Sequence, residues 1–173
     1  MGCATLVPAA KRLFLVRHAK SSWEDPQLAD HDRPLAPRGR RAAKSMAEHL
    51  QLAGISPSLV LCSSARRALQ TLDGLAVEGE VRIERELYGA SAGELLERLR
   101  RVPGTVEAAM LIGHNPAIQS LVVSLAGSGA QLGRVERKFP TGALATLHIA
   151  CAWAELRPGC AELEDFVTPK MLR

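Results

Sequence analysis

Two histidines each follow a short apolar run: Leu13-Phe14-Leu15-Val16-Arg17-His18 and Met110-Leu111-Ile112-Gly113-His114. A neutral imidazole offers an attacking lone pair, and a protonated one offers a charge and two donors, so the side chain suits transfer of anionic groups. Arg17 precedes the first histidine, and a third apolar run, Leu59-Val60-Leu61-Cys62, leads into Ser63-Ser64-Ala65-Arg66-Arg67-Ala68-Leu69-Gln70-Thr71. A planar guanidinium can pair two parallel N–H groups with two phosphate oxygens. Two imidazoles and two arginines would therefore make an anion pocket if the three runs are neighbouring strands. In a parallel α/β sheet, ligands bind outside the carboxyl ends of the strands, where residues distant in sequence converge.

The rest of the chain supplies elements that could place them so. A strand over about 12–17 is followed by a polar loop over 18–37, rich in Asp and Pro, whose length and position after His18 point to function. Residues 38–53 read as an amphipathic helix with Ala42, Ala43, Met46, Ala47 and Leu50 on one face and Gly54 as its stop. A buried strand over 59–62 leads to a helix over 65–76, with Ser63 or Ser64 as the cap. A short strand over 81–83, a helix over 92–101 and a strand over 108–112 follow. Asn115-Pro116 reads as a capped start of a helix running to about 125. Residues 129–141 read as a loop, 143–149 as a fifth main strand, and 161–167 as its partner after the Pro158-Gly159 turn. Strands alternating with helices predict a three-layer α/β/α sandwich with a mostly parallel central sheet and right-handed crossovers.

Leu15-Val16-Arg17-His18-Ala19 resembles the Arg-His-Gly signature of the histidine phosphatase (phosphoglycerate mutase-like) superfamily. Arg33-Pro34-Leu35, Gly39, the run from Ser63 to Thr71, and Gly113-His114-Asn115-Pro116 are similar to motifs of its small SixA-type phosphohistidine phosphatases, in the same order. The resemblance implies a phosphoglycerate mutase-like fold without a large lid domain, and a transiently phosphorylated nucleophile at His18. Its register, in which the arginine precedes Ala and stands three residues before Gln-Thr, selects Arg67 over Arg66 as the second clamp beside Arg17. It also places His114 on the opposite wall and Ser21 beside the phosphate. Ala19 departs from the usual glycine, so the turn there must be one that an L-residue accepts. Mutase-type relatives use a glutamate as general acid. Glu86 is the nearest positional candidate, with Asp25, Asp30 and Asp32 in the loop as rivals.

Composition narrows the alternatives. With 173 residues, 47% hydrophobic and 23% charged, the chain fits one domain over 1–173 with a sizeable core, its first eleven residues forming a loosely ordered tail. A net charge of +4 and 3% aromatic residues do not suggest a nucleic-acid partner. The four cysteines show no Cys-x-x-Cys spacing, so neither a zinc site nor a redox pair is expected, and Cys62 reads as a small core residue. No apolar run is long enough to span a bilayer. Met1-Gly2-Cys3 invites an acylation reading, but Leu6 stands where that pattern wants Ser or Thr. A reducing cytoplasm is the expected compartment. His31, between Asp30 and Asp32, reads as a solvated loop residue and not a metal ligand. His49 reads as flanking helix surface, and His148 as pointing away from the main core.

These readings converge on a phosphatase that hydrolyses phosphohistidine on a protein and releases inorganic phosphate, with no cofactor and no metal. A small-molecule phosphomonoesterase or mutase of the same fold is the alternative. A non-catalytic phosphate- or partner-binding module is the second alternative.

Overall fold

A computed structural model of the protein describes residues 10–173. The acylation reading of Met1-Gly2-Cys3 and the tail up to residue 9 lie outside the described residues. Lys11, placed in that tail by the sequence, opens the first strand, and its ammonium donates to the carbonyls of Gly104 and Val106.

Seven strands form one sheet in the order β3-β2-β4-β1-β6-β7-β5. They are β1 (Lys11–Arg17), β2 (Leu59–Ser63), β3 (Glu80–Glu84), β4 (Ala108–Gly113), β5 (Ala126–Ser128), β6 (Leu144–Ile149) and β7 (Ala161–Val167). The pairings β2–β3, β2–β4, β1–β4 and β5–β7 are parallel, and only β6 runs against its neighbours β1 and β7. Helices α1 (Pro37–Leu52), α2 (Arg66–Leu75), α3 (Ala92–Arg100), α4 (Ala117–Leu125) and α5 (Leu132–Arg137) complete the element order.

The three layers follow from the period of two along each strand. Leu13 and Leu15 of β1, Leu59 and Leu61 of β2, and Ala109 and Leu111 of β4 face the cluster filled by Leu95 and Leu99 of α3 and by Ile118, Leu121 and Val122 of α4. Phe14 and Val16, Val60 and Cys62, and Met110 and Ile112 face the opposite cluster, with Met46 and Leu50 of α1 and Ala68 and Leu75 of α2. Strands buried on both faces need continuous apolar runs, which is why β1, β2 and β4 stood out in the sequence. Cys62 is wholly buried, and burial pushes its thiol up to about 12, as suits an inert core residue.

Three local expectations are corrected. Residues 129–141 contain α5, whose six residues bury Val135 alone, too little apolar pattern for a helical period to appear. The N-cap of α2 is Ala65, not a serine; Ser63 Oγ accepts from the Ala65 N–H and also meets His114, while Ser64 meets His31. Helix α4 begins at Ala117 with Pro116 as its N-cap, while Asn115 Oδ1 accepts from the Gln119 backbone N–H and its Nδ2 donates to the Phe139 carbonyl and Gln119 Oε1.

The loop after β1 is tied down at both ends. It contains a 3-10 turn over Asp30–Asp32 and a bridge between Ser21 and Leu35, and it closes onto the start of α1 at Gly39. A Cβ added to Gly39 would lie 2.2 Å from the Lys20 carbonyl oxygen, so only glycine lets the helix approach the segment that leaves His18. Alanine gains up to about 1 kcal/mol in helix propensity. A backbone clash of this depth costs more, about 1–3 kcal/mol, because no flexible side chain can yield. Gly39→Ala is expected to lower the urea midpoint and to reduce catalytic rate by displacing Lys20 and its neighbours. An unchanged midpoint would show that the loop yields freely.

Candidate active site

The strands β1, β2 and β4 are adjacent and parallel, so their carboxyl ends deliver His18, Ser63 and His114 to one edge of the sheet. The backbone N–H of His18 donates to the Gly113 carbonyl at 3.0 Å, locking the two histidine-bearing ends together. The imidazole rings of His18 and His114 lie 5.1 Å apart between centroids.

His18 is 8% exposed, and its ring orientation is fixed by two bonds. Nδ1 lies 2.7 Å from the Ala19 carbonyl oxygen, which can only accept, so Nδ1 carries the proton. Nε2 then holds the lone pair, and Arg67 Nε donates to it at 3.3 Å. Burial, with the charges of His114, Arg67 and Arg17, pushes the His18 pKa down to about 3 against the opposing pull of the Ala19 bond. The result is an imidazole that stays neutral, with its reactive nitrogen turned toward a cation. Ala19 is not among the residues with positive φ, so its side chain carries no backbone strain. Its N–H donates to Thr71 Oγ1 at 2.9 Å.

Arg67 arrives from the first turn of α2 and is 7% exposed, whereas Arg66 is exposed. One helical turn later, Gln70 Oε1 accepts from Leu35 N, and Thr71 holds Ala19, so one face of α2 presents the guanidinium and clasps both ends of the long loop. The remaining Arg67 donors go to Asp30: Nη1 to its carbonyl at 2.5 Å and Nη2 to Oδ2 at 2.9 Å. Arg17 donates Nη1 to the Phe139 carbonyl at 2.8 Å, and burial lowers its pKa from the ordinary value. His114 Nε2 lies 2.7 Å from Ser63 Oγ, and burial, then the charge of Arg67, pushes its pKa down to about 4. Among the described residues, the buried side-chain polar atoms without a partner are Arg17 Nε and His114 Nδ1. Each such group costs about 1–3 kcal/mol, and their concentration here marks an arrangement built for chemistry and not for stability.

The structure thus brings together His18, Arg17, Arg67 and His114, and it separates Ser21 and Glu86 from them. Ser21 Oγ accepts from Arg33 Nη2 at 2.6 Å, and the path from there to His18 runs through Asp30 and Arg67. Glu86 is exposed and lines a cavity of about 650 Å³ beside α3, shared with Glu84, Glu94, Glu97 and Arg98. Among the rival carboxylates it is Asp30 that reaches the site. Its Oδ1 accepts from Arg33 and its Oδ2 from Arg67 and Tyr88. Burial alone would raise the Asp30 carboxyl, but these hydrogen bonds outweigh it and hold the group at about 2.

Three neighbours take up positions at the site that their sequence context did not indicate. Tyr88 donates to Asp30 and sets its ring edge-on to both His31 and His114. His31, read as solvated loop, instead bonds Ser64 Oγ through Nε2 at 2.9 Å. Ser63, read as a cap, bonds His114. The one cue available was spacing: Asp30 stands three residues before Arg33, where a 3-10 turn lets the two side chains meet. Arg33 is buried, spends its donors on Asp30, Ser21 and the Ser22 carbonyl, and stacks 3.2 Å from the ring centroid of the exposed Trp23.

Because both imidazoles have pKa values below the ordinary 6.5, the unfolded chain takes up protons before the folded one as pH falls. The stability they confer is complete above about pH 6.5 and is lost toward pH 3–4, with a slope approaching about 1.4 kcal/mol per pH unit for each ring. Urea midpoints should fall between pH 6.5 and 4, and less steeply in His18→Asn. Ring titration followed by NMR should find no protonation of His18 near pH 6, and a midpoint there would refute the neutral-nucleophile geometry.

The profile of the Histidine phosphatase superfamily (branch 1) matches residues 13–100. An uncharacterised protein of Mycobacterium tuberculosis is 40% identical over 159 residues, spanning 90% of this chain and 100% of that protein. Among solved structures, a candidate phosphohistidine phosphatase SixA from Nakamurella multipartitia superposes with a TM-score of 0.82 at 32% identity, covering 92% of this chain and 96% of its own. Another, from Agrobacterium tumefaciens, gives a TM-score of 0.78 at 28% identity, over 92% and 99%.

Proposed function

The chain belongs to the histidine phosphatase superfamily, in its SixA-type group, and on that premise we propose that it removes phosphate from phosphohistidine displayed on a protein, through a transient phosphohistidine at His18. The observation that carries this reading is the state of His18: neutral, with Nδ1–H held by the Ala19 carbonyl and the Nε2 lone pair framed by Arg67 and His114. In the proposed sequence, Nε2 attacks phosphorus in line with the departing imidazole of the substrate. The old P–N bond breaks as the new one forms, and the Ala19 carbonyl stabilises the positive charge that develops on the His18 ring. Water then attacks the phosphorylated His18, giving inorganic phosphate and the free ring. Arg17, Arg67 and His114 lower the cost of gathering negative charge on the equatorial oxygens.

Leaving-group chemistry selects the substrate. An alkoxide leaves poorly without a proton donor, whereas an imidazole protonated on its other nitrogen leaves readily. Asp30, held at about 2 by Tyr88, Arg67 and Arg33 against burial, is ionised near neutrality and donates no proton. Its role is to orient Arg67. Glu86 faces a different cavity. A site built this way favours a phosphoramidate over a phosphate ester. The absence of a large lid suits a group borne on a protein, since a small metabolite is usually enclosed. The compartment that fits this reading is the reducing cytoplasm. No helix among the described residues is long and apolar enough to cross a membrane.

His18→Ala is expected to abolish phosphate release, and Arg17→Ala or Arg67→Ala to lower kcat by at least about 100-fold, as for loss of one charge-stabilising donor. Normal rates in all three variants would move the chemistry elsewhere. In a panel of substrates, kcat/KM should be highest for a phosphohistidine protein. A preference for phosphoglycerate, a sugar phosphate or a nucleotide would establish the phosphomonoesterase reading instead.

A further inference from the structure

A belt of unpaired cations runs along the surface beside the crevice. Lys20, Arg38, Lys138 and Lys170 line one cavity of about 470 Å³, which adjoins a second of about 420 Å³ that includes Arg41 and a third of about 200 Å³ that includes Arg137. The first and second share Arg38 and Pro169, and the first and third share Lys138 and Pro140, so the three form one continuous depression. No Asp or Glu side chain lines any of them, and among the described residues none of these six cations has an ion-pair partner.

The belt borders the catalytic crevice. Lys20 is two residues beyond His18, and Lys138 precedes Phe139, whose carbonyl holds Arg17. Gly142 donates to the carbonyls of Arg17 and His18, while its missing Cβ would come within 3.0 Å of Pro169 and 3.8 Å of Ala19. Pro140 and Thr141, which line the cavity, are thus continuous in the chain with the backbone that holds the Arg17 and His18 carbonyls.

We propose that this belt is the docking surface for an acidic face of the phosphohistidine-bearing protein, a proposal that rests on the function given above. Unpaired cations attract an oppositely charged surface, steer its approach and fix its orientation. An acidic protein face fits better than nucleic acid, because the one aromatic side chain lining the depression, Phe166, is buried and cannot stack on a base.

The test uses the full chain and a triple variant, Arg41→Glu with Lys138→Glu and Lys170→Glu, all exposed positions. Binding of an unphosphorylated glutamate-rich peptide, read by fluorescence anisotropy, should weaken at least tenfold in the variant and with added salt in the wild type. Equal binding to both proteins would overturn the docking proposal, as would tighter binding of a duplex oligonucleotide than of the peptide. Turnover separates the two readings. With phosphohistidine peptides, the variant should lose at least tenfold in kcat/KM for a glutamate-rich sequence and less than twofold for free phosphoramidate. Failure of the wild type to hydrolyse either would refute the proposed function, whereas equal losses on both would refute docking alone.

Discussion

The arrangement depends on keeping an imidazole uncharged in a crowd of cations. Burial, which removes the water that would stabilise a charge, does most to lower the His18 pKa, and the neighbouring His114, Arg67 and Arg17 lower it further. In such surroundings protonation is unfavourable, so the ring keeps its lone pair well below neutral pH. The same cations that suppress the proton attract a phosphoryl group. One electrostatic condition thus suits both the proposed nucleophile and its proposed target.

Holding so much positive charge together requires a counterweight and rigid supports. Asp30 is the counterweight: its carboxylate meets Arg33, Arg67 and Tyr88 while remaining 52% exposed. The supports are backbone. The carbonyl of Ala19 fixes the His18 tautomer, that of Gly113 holds its N–H, and that of Phe139 receives Arg17. Helix α2 contributes Arg67, Gln70 and Thr71 from one face, so a small rotation of this helix would disturb the clamp and both loop ends together. The preorganisation that phosphoryl transfer needs is distributed over three strand ends and one helix.

Charge is divided over the surface as well as within the site. Around α3 the glutamates at 84, 94 and 97 line a cavity with Arg98, which is tied to Glu84 by two bonds. Away from α3, Lys20, Arg38 and Lys138 line another cavity and, among the described residues, have no ion-pair partner. The acidic partner face proposed above would meet like charge beside α3 and opposite charge at the second cavity.

The sequence by itself determined the layered fold and most of the groups gathered at the candidate site. Strands β1, β2 and β4 are buried on both faces, and that demand leaves uninterrupted apolar runs whose ends are legible, with His18, His114 and Arg67 just beyond them. The amphipathic stripe of α1 was legible for the same reason. Side chains whose role is set by what lies across the crevice left no such trace. Ser63 could equally cap a helix or bond His114, and three loop aspartates were equivalent until the 3-10 turn aimed one of them at Arg67. Helix α5 buries one residue, so no period announced it. Periodicity records burial, a property each element carries along its own length. Hydrogen-bond partnership and local field depend on distances between elements, and only the tertiary structure decides those.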